Sequence, residues 1–468
     1  SAALFVLALT VWRLAALYTS DINLFFDEAQ YWYWSTDPAF GYFSKPPVLA
    51  WLIWLSTATF GDIEFGIRAL SPICYALTAA FGGATAYRLY NAHTAAWTAV
   101  MLALLPGVGL SATIVSTDVP LLLCWAAALY FYVRYSQQGG LWWIGLGAAL
   151  GLGLLSKYAM AYFVLGLALA MLVAPSQRKI LCRGGFWAAL LLGVILFLPN
   201  VWWNWANDFV SFGHTADNAN WGQQSLKPGK LGEFVGGQFG VFGPILLIAF
   251  VWALFRWRRL GETGRMLAAF AVPVLLLMLV QSLVSRAHAN WAAVAYISAA
   301  IMVTGWLLHI GQARWLKASL VLHLLASAVV LHGGPFIPLT GIDPWHRQRG
   351  WTALAAGIHD LQAQHPNAIL LASDRKIAAQ IMFYVRPGLG NMVKWNPDGH
   401  INDHYELTSN MESLKGRTAL FLTRQIEPVG LTERFASITP LPSVTRLRPT
   451  RPPEVYYVFL LDGYRGTR

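Results

Sequence analysis

Long apolar stretches recur along the chain from its first residues to about residue 332, with short polar segments between them. Each stretch is close to the roughly 20 residues that an α-helix needs to cross about 30 Å of hydrocarbon. The pattern predicts a polytopic α-helical membrane domain with about eleven spanning helices, at residues 2–19, 67–88, 94–111, 118–134, 141–156, 158–174, 185–204, 234–255, 266–284, 291–309 and 315–332. The apolar stretch 47–60 is shorter and is bounded by charged residues, which favours an interfacial helix.

The pattern changes after Gly333, where polar residues become frequent and the apolar runs become short. Residues 368–373, 418–423 and 455–461 are typical of buried strands, and the segment after the first of them has helical spacing. The sequence therefore predicts a small α/β domain at 343–468. The membrane domain, with a long first loop at 20–66, occupies residues 1–342.

The composition supports a membrane protein, since 56% of the residues are hydrophobic and 12% are charged, against about 25% charged in typical soluble proteins. The net charge of +11 is distributed with the topology rather than as a nucleic-acid-binding patch. Loops that follow even-numbered spans, together with the adjoining span ends, hold 11 basic residues and one acidic residue, whereas those on the other side hold six and ten. By the positive-inside rule, the N-terminus is cytoplasmic, and the first loop and the α/β domain lie outside.

Polar residues that could perform chemistry are concentrated in the loops predicted to share the outer side of the membrane. They comprise three acidic residues, four cations and a set of amide, tyrosine and histidine side chains: Asp27, Glu28, Tyr31, Lys45, Arg68, Asp118, Lys157, His214, Asn218, Arg286, His288 and Asn290. Individually, the carboxylates could cap helices, the cations could anchor helix ends and the histidines could be structural. The three cysteines lie far apart and indicate neither a disulfide framework nor a metal cluster.

Taken together, these residues favour chemistry on a lipid-linked phosphate at the membrane surface. A phosphate leaving group needs fixed cations as negative charge develops on its oxygens, a role that suits Lys45, Lys157, Arg286 and Arg68. An acceptor hydroxyl needs a carboxylate to take its proton, which makes Asp27, Glu28 and Asp118 candidates. Tyr31, His214, Asn218, His288 and Asn290 are candidates for contacts with the acceptor.

Four short motifs carry a resemblance to a known family. The run Asp27-Glu28-Ala29-x-Tyr31, then Lys45-Pro46-Pro47, then Arg68 and Thr117–Leu121, resembles the type C glycosyltransferases (GT-C). The likeness includes bacterial lipid A aminoarabinose transferases and protein O-mannosyltransferase-like enzymes. The resemblance implies a GT-C-like fold, in which Asp27 is the catalytic base or the carboxylate that orients the acceptor, Asp118 is the second acidic residue and Lys45 holds the lipid phosphate.

The same resemblance implies inverting transfer of a sugar from a polyprenyl-phosphate donor to lipid A, core or another envelope glycan. The reaction would take place on the periplasmic face of the bacterial inner membrane, among membrane lipids, and we expect a monomer with no nucleic-acid partner. The runs 286–291 and 214–221 are similar to those of a rhizobial branch of lipid A and core galacturonosyltransferases.

One departure from the pattern concerns metal. The aminoarabinose transferases have an acidic metal ligand where this chain has Ser44, and His214 alone lies in a loop resembling the one that supplies the other ligand. We therefore expect no certain cofactor, with a divalent metal left open. A protein O-glycosyltransferase of the same fold and a membrane transporter or flippase remain alternatives, although the chain lacks the internal repeats of many transporters.

Overall fold

The computed structural model describes residues 1–219, 226–334, 337–341, 343–388, 390–428 and 430–466. The chain divides into two compact units. The helical unit comprises Ser1–Thr19, Lys45–Gly61 and Arg68–His332, and the sheet unit comprises Ser20–Ser44, Asp62–Ile67 and Gly333–Arg468. Most of the long loop that follows the first helix therefore groups with the C-terminal segment.

The α-helices have the following bounds in chain order: α1 Ala2–Tyr18, α2 Phe26–Ser35, α3 Val48–Phe60, α4 Glu64–Arg68, α5 Leu70–Leu89, α6 Ala92–Leu104, α7 Pro106–Ser111, α8 Asp118–Gln138, α9 Trp142–Ser156, α10 Ala161–Val173, α11 Gly184–Ala206, α12 Val210–Ala219, α13 Pro228–Phe242, α14 Pro244–Phe255, α15 Gly261–Ala269, α16 Val272–Val284, α17 Ala295–His309, α18 Ala313–His332, α19 Ile337–Thr340, α20 Trp351–Gln364, α21 Arg375–Gln380, α22 His404–Thr408 and α23 Leu431–Arg434. Every apolar stretch of the sequence coincides with one of these helices or with two consecutive ones.

Within the described residues, five helical segments are long and apolar enough to cross a membrane: Glu64–Leu89, Asp118–Gln138, Gly184–Ala206, Gly261–Val284 and Ala313–His332. The number is seven if each of two bent helix pairs counts as one span. Five further apolar helices, α1, α3, α6, α9 and α17, have 10–17 residues each. The polytopic helical fold is confirmed, but the predicted count of eleven spans is not.

Proline and glycine explain why predicted spans are interrupted. The stretch 94–111 divides into α6 and α7 at Pro106, and 234–255 divides into α13 and α14 with a bend of 108°. Proline lacks the backbone N–H that would continue a helix. At the second break, Gly243 has φ +89° and precedes Pro244, and a Cβ at Gly243 would collide with the ring of His323.

The helices of the helical unit differ in how deeply they are buried. Residues 295–307 of α17 are buried throughout, and α8 buries Trp125, Leu129 and Tyr132. In contrast, only 22% of the apolar 18-residue segment of α11, and the same share of that of α18, is buried inside the protein. Such extensive exposed apolar surface is typical of helices that face lipid.

The sheet unit is built on five strands: β1 Ile369–Ala372, β2 Met392–Lys394, β3 Ala419–Thr423, β4 Ser437–Arg446 and β5 Glu454–Asp462. Their order is β2-β1-β3-β5-β4, with β1 parallel to β2 and β3 and with β5 antiparallel to β3 and β4. The predicted strands coincide with β1, β3 and β5, and the predicted helix after the first strand coincides with α21. The small sheet domain at the C-terminal end is thus confirmed.

Candidate active site

The structure brings three of the predicted residues into contact at the start of α8. Asp118 is buried, and its Oδ1 lies 2.7 Å from Nζ of Lys157. Its Oδ2 accepts a hydrogen bond of 2.6 Å from Nδ2 of Asn290. Asp118 lies in the first turn of the helix, whose N-cap Thr117 makes no side-chain capping hydrogen bond. Both oxygens of this buried carboxylate therefore contact residues distant in sequence. These contacts offset the free-energy cost of burying a charge.

Local backbone geometry presents Lys157 and Asn290 to this carboxylate. Lys157 follows the last residue of α9 with an extended backbone, at φ −163° and ψ 135°, before a 3-10 turn begins. Asn290 lies in the 3-10 turn Ala289–Ala292. Side-chain amides hold the segment around this turn, since Gln281 donates to the carbonyl of Arg286 and Gln238 to that of Ala289.

The same segment carries an electropositive neighbourhood. Partial burial of the His288 ring lowers its pKa from the ordinary value, and the positive charges of Arg286 and Lys157 lower it further. His288 is therefore neutral at pH 7, because its ordinary pKa is about 6.5. Two cations, Arg286 and the Lys157 that pairs with Asp118, thus act on this ring, and an anion close to them would be stabilised.

A polar network beside Lys157 was missed by sequence reasoning. Tyr158 donates to Oδ1 of Asn200 at 3.1 Å, and Asn204 bonds the Tyr158 hydroxyl, the Asn200 carbonyl and the backbone N–H of Ser211. Asn200 and Asn204 are both fully buried on α11. Two asparagines one helical turn apart on an apolar helix are the sequence signal that could have revealed this network.

His214 and Asn218 lie one turn apart on α12, where the Asn218 side chain donates to the His214 carbonyl at 2.9 Å. The run that carries them ends at residues 220–221, which lie outside the described residues. Lys45 precedes α3 and Arg68, which is buried, ends α4. Asp118 thus contacts two of the predicted site residues, Lys157 and Asn290. That Lys45, Arg68, His214 and Asn218 belong to the same site stays a prediction.

A second acidic position lies in the sheet unit. Asp27, in the first turn of α2, places Oδ1 2.9 Å from Nη1 of Arg375, which also donates to Oε1 of Gln30 at 2.8 Å. The Arg375 guanidinium lies 4.9 Å from the centre of the Phe26 ring. The side chains of Asp27 and Arg375 are 36% and 34% exposed, so that this pair is reachable from solvent.

The neighbours of Asp27 in the motif have a more structural environment. Glu28 is 1% exposed, and its Oε2 accepts a 2.8 Å hydrogen bond from the backbone N–H of Phe25, three residues earlier. This is the helix-start interaction that the sequence left open as an alternative to catalysis. Tyr31 is buried with its ring 5.1 Å from that of Trp34.

Arg375 is the functional candidate that sequence reasoning overlooked. It is the first residue of α21 and follows β1 after Ser373 and Asp374, whose carboxylate caps the helix. In sheets with parallel strands, functional side chains collect beyond the carboxyl ends of the strands. The sequence signal that could have revealed Arg375 was a charged residue directly after a predicted buried strand.

The donor set for a metal ion was tested on the described residues. Among them, no three side chains of histidine, cysteine, aspartate or glutamate come together as a metal-binding group. Ser44 offers only a neutral hydroxyl, which is a weak ligand for a hard divalent cation. The described residues therefore do not fit the metal site that the resemblance implies.

Comparison with known proteins supports the fold and the resemblance. The family described as dolichyl-phosphate-mannose-protein mannosyltransferase matches residues 44–203. The lipid A galacturonosyltransferase RgtD of Rhizobium johnstonii is 33% identical over 441 residues, covering 90% of both chains. An undecaprenyl phosphate-alpha-4-amino-4-deoxy-L-arabinose arabinosyl transferase of Pseudomonas fluorescens is 30% identical over 34% of this chain and 28% of its own.

Among solved structures, ArnT from Cupriavidus metallidurans bound to undecaprenyl phosphate matches with a TM-score of 0.64 and 18% identity, over 98% of this chain and 97% of that one. This likeness extends across both units and establishes an ArnT-like GT-C fold. The resemblance to type C glycosyltransferases that the four motifs indicated is confirmed.

Proposed function

Because the chain belongs to the family of membrane glycosyltransferases that includes the lipid A galacturonosyltransferase of Rhizobium johnstonii, we propose that it transfers galacturonate from a polyprenyl-phosphate donor to lipid A, with inversion. The observation that carries the proposal is the cluster at Asp118, where Lys157 and Asn290 contact the buried carboxylate and where Arg286 and His288 lie in the same segment as Asn290. A site of this character stabilises an anion, as a lipid phosphate requires.

The donor phosphate is assigned to the helical unit. As the bond between the anomeric carbon and the phosphate oxygen breaks, negative charge develops on the departing polyprenyl phosphate. Lys157 and Arg286 stabilise this charge, and we assign Lys45 and Arg68 to the same phosphate on the strength of the family motifs. Asp118 and Asn290 keep the Lys157 ammonium in place, so that little reorganisation is needed during the reaction.

Proton transfer is assigned to Asp27. The acceptor hydroxyl attacks the anomeric carbon from the face opposite the phosphate, and its proton passes to the Asp27 carboxylate. The products are a glycoside of inverted configuration and polyprenyl phosphate. Asp27 suits this role because it is partly exposed and because its carboxylate is oriented by the Arg375 guanidinium. The same guanidinium also donates to the side-chain oxygen of Gln30.

The test of the function is mass spectrometry of lipid A from a deletion strain complemented with wild-type protein or with Asp27→Asn. We expect galacturonate to disappear from lipid A in the deletion and to return only with the wild type. In purified protein, Asp27→Asn should reduce transfer about 10²–10⁴-fold while donor binding persists. Unchanged lipid A in the deletion strain would refute the function, and near-normal transfer by Asp27→Asn would refute the base.

The phosphate assignment has its own test. Lys157→Gln and Arg286→Gln should each weaken binding of a polyprenyl-phosphate donor, since each removes a positive charge that would stabilise the phosphate. Lys230→Gln is the matched control, because Lys230 is an exposed cation of α13 that pairs with Glu233. Equal donor affinity in all three variants would remove Lys157 and Arg286 from the site.

A protein acceptor is the second candidate, favoured by the match of residues 44–203 to a protein mannosyltransferase family. Mass spectrometry of periplasmic glycoproteins from the same deletion strain separates it from the first. A sugar lost from proteins with lipid A unchanged would establish the second candidate in place of the first.

We further propose that residues 1–342 form the catalytic membrane domain of a monomer with about eleven spans, and that 343–468 lie in the periplasm. The charge distribution between loops supports this orientation. Cys182 is exposed, and Cys74 and Cys124 are buried, so that Cys182 is a natural reporter. An impermeant thiol reagent should label Cys182 only from the cytoplasm and should label Glu427→Cys, in a Cys182→Ser background, only from outside. Labelling of Cys182 from the periplasm would overturn the orientation.

A further inference from the structure

The sheet unit contains a cavity that the proposed transfer does not use. It has a volume of about 360 Å³ and lies between Arg349 and the turn that joins β4 to β5. Its polar lining comes from Arg349, Arg448 and Asp21, and its apolar lining comes from Leu447, Pro449 and Pro453. Volumes of this size are typical of small-molecule sites.

The walls of the cavity are held rigidly by an arginine behind them. Arg446 donates to the carbonyls of Arg349 and Arg347 at 2.7 and 2.6 Å, and its guanidinium lies 4.0 Å from the centre of the Trp351 ring. Gly350, at φ +83°, has no room for a Cβ beside the Leu447 carbonyl. Pro449, Pro452 and Pro453 restrict the opposite wall. The two arginines of the lining are therefore presented on a pre-organised frame.

Arg448 has unused capacity to bind an anion. Its Nη2 donates to the Pro452 carbonyl at 2.8 Å, and its Nε is shielded from solvent and takes no part in ligand contacts. The carboxylate paired with it, Glu454, is 3.9 Å away. Oε2 of Glu454, the oxygen nearest Arg448, already accepts hydrogen bonds from Arg446 and from the hydroxyl of Tyr456. Much of the charge on Arg448 is thus left uncompensated.

Arg349 has one strong carboxylate partner and one weak one. Its Nε lies 2.9 Å from Oδ2 of Asp343, whose side chain is fully buried. Its Nη1 reaches Asp21 at 3.4 Å, and the Asp21 side chain is 85% exposed. An exposed ion pair of this kind contributes little, so that a ligand oxyanion could take the place of Asp21 at this nitrogen.

We infer that this cavity binds an acidic sugar, with one oxyanion held between the guanidinium groups of Arg349 and Arg448 and with the ring against the prolines. Guanidinium groups bind carboxylate and phosphate with the same bidentate geometry, so that a uronic acid and a sugar phosphate share this chemistry. The site goes beyond the transfer proposed above, because it recognises an acidic envelope glycan or glycolipid headgroup at a place that supplies no reacting group.

Binding is measured on the full-length protein in phosphatidylcholine nanodiscs by ligand-observed NMR. We expect saturable binding of D-galacturonate, competition by glucosamine 1-phosphate, and at least about tenfold weaker binding of neutral D-galactose. Arg448→Gln should weaken galacturonate binding about tenfold or more, whereas Asp21→Asn should strengthen it, because the competing carboxylate is gone. Arg451→Gln, which removes the same charge from the same turn outside the lining, should change nothing.

Equal binding of galactose, an unchanged affinity in Arg448→Gln, or an unchanged or weaker affinity in Asp21→Asn would each overturn the proposal. Asp21 is exposed, so that its variant remains informative even if Arg448→Gln fails to fold. Lipid A placed in the nanodiscs separates the sources. Displacement of galacturonate identifies a glycolipid headgroup as the ligand, and saturable binding without displacement identifies a non-lipid acidic glycan. Since no transfer is measured, failure here leaves the proposed function untouched.

Discussion

Arg375 offers the sharpest test of the proposed base. Its Nη1 bridges the Asp27 carboxylate and the Gln30 amide at 2.9 and 2.8 Å, and its guanidinium lies over the Phe26 ring. The substitution Arg375→Gln removes the bridge while keeping a polar side chain. If Arg375 acts by orienting Asp27, catalysis should suffer more than stability.

The structure allows both effects to be sized. Two unit charges 4 Å apart interact by about 1 kcal/mol in water and about 4 kcal/mol at an effective dielectric constant of 20. Both side chains are about one-third exposed, so that the pair belongs near the solvent limit, and its loss should cost about 1 kcal/mol of stability. A misplaced catalytic group can lose about 10²-fold in rate for an error of 1 Å, and we therefore expect kcat to fall about 10–100-fold.

The assay is steady-state transfer by purified protein, with kcat and KM determined separately for each substrate. We expect kcat to fall in Arg375→Gln with KM nearly unchanged, and Arg375→Lys to recover part of the loss. Lys376→Gln is the matched control, since Lys376 lies 5.3 Å from the centre of the same Phe26 ring and carries the same charge. The double variant Asp27→Asn/Arg375→Gln should be no slower than Asp27→Asn alone. Additive losses in that double variant would refute a role through Asp27.

Two further predictions concern the segment around Asp118. Asn290→Ala removes the 2.6 Å hydrogen bond to a buried carboxylate, and titration with a polyprenyl-phosphate donor should show about tenfold weaker binding; an unchanged affinity would exclude a positioning role. His288 has a lowered pKa and is neutral at pH 7, and a bound phosphate would favour its protonated form. Donor affinity measured between pH 7.5 and 6 should therefore rise as the pH falls, and His288→Gln should abolish the rise; a pH dependence that survives the substitution would exclude His288.

Much of the helical architecture could be predicted from apolar runs alone, because each run must be buried in protein or lipid. The number of crossings could not, since it depends on breaks whose geometry is tertiary. Pro244 predicts a break in the helix. The bend of 108° also requires the positive φ of Gly243 and the absence of a Cβ there, because the His323 ring lies beside it. The strand β4 was overlooked for a related reason. It contains Pro440 and Pro442, which argue against a central strand but are tolerated at the sheet edge, where β4 lies.

The site shows the same division between local and long-range information. Residue type and sidedness singled out Asp118, Lys157 and Asn290 individually, and the structure supplies the contacts between them, across 39 and 172 residues of sequence. Local pattern also suggested that Glu28 could serve the start of α2, as its bond to Phe25 shows. Arg375 was missed because its partner Asp27 lies 348 residues away, and no local pattern connects the two.

The two acidic candidates, Asp118 in the helical unit and Asp27 in the sheet unit, differ in a way that favours different roles. Asp118 is buried, with one oxygen on Lys157 and the other on Asn290, so that accepting a proton would disrupt contacts that already satisfy it. Asp27 is partly exposed, and its hydrogen bond to Arg375 engages Oδ1 alone among the described residues, which leaves Oδ2 to receive a proton. A general base must exchange its proton in each cycle, whereas a group that fixes a cation must keep its charge. We therefore assign Asp118 to holding Lys157 for the donor phosphate, and expect Asp118→Asn to weaken donor binding, whereas Asp27→Asn slows transfer with the donor still bound.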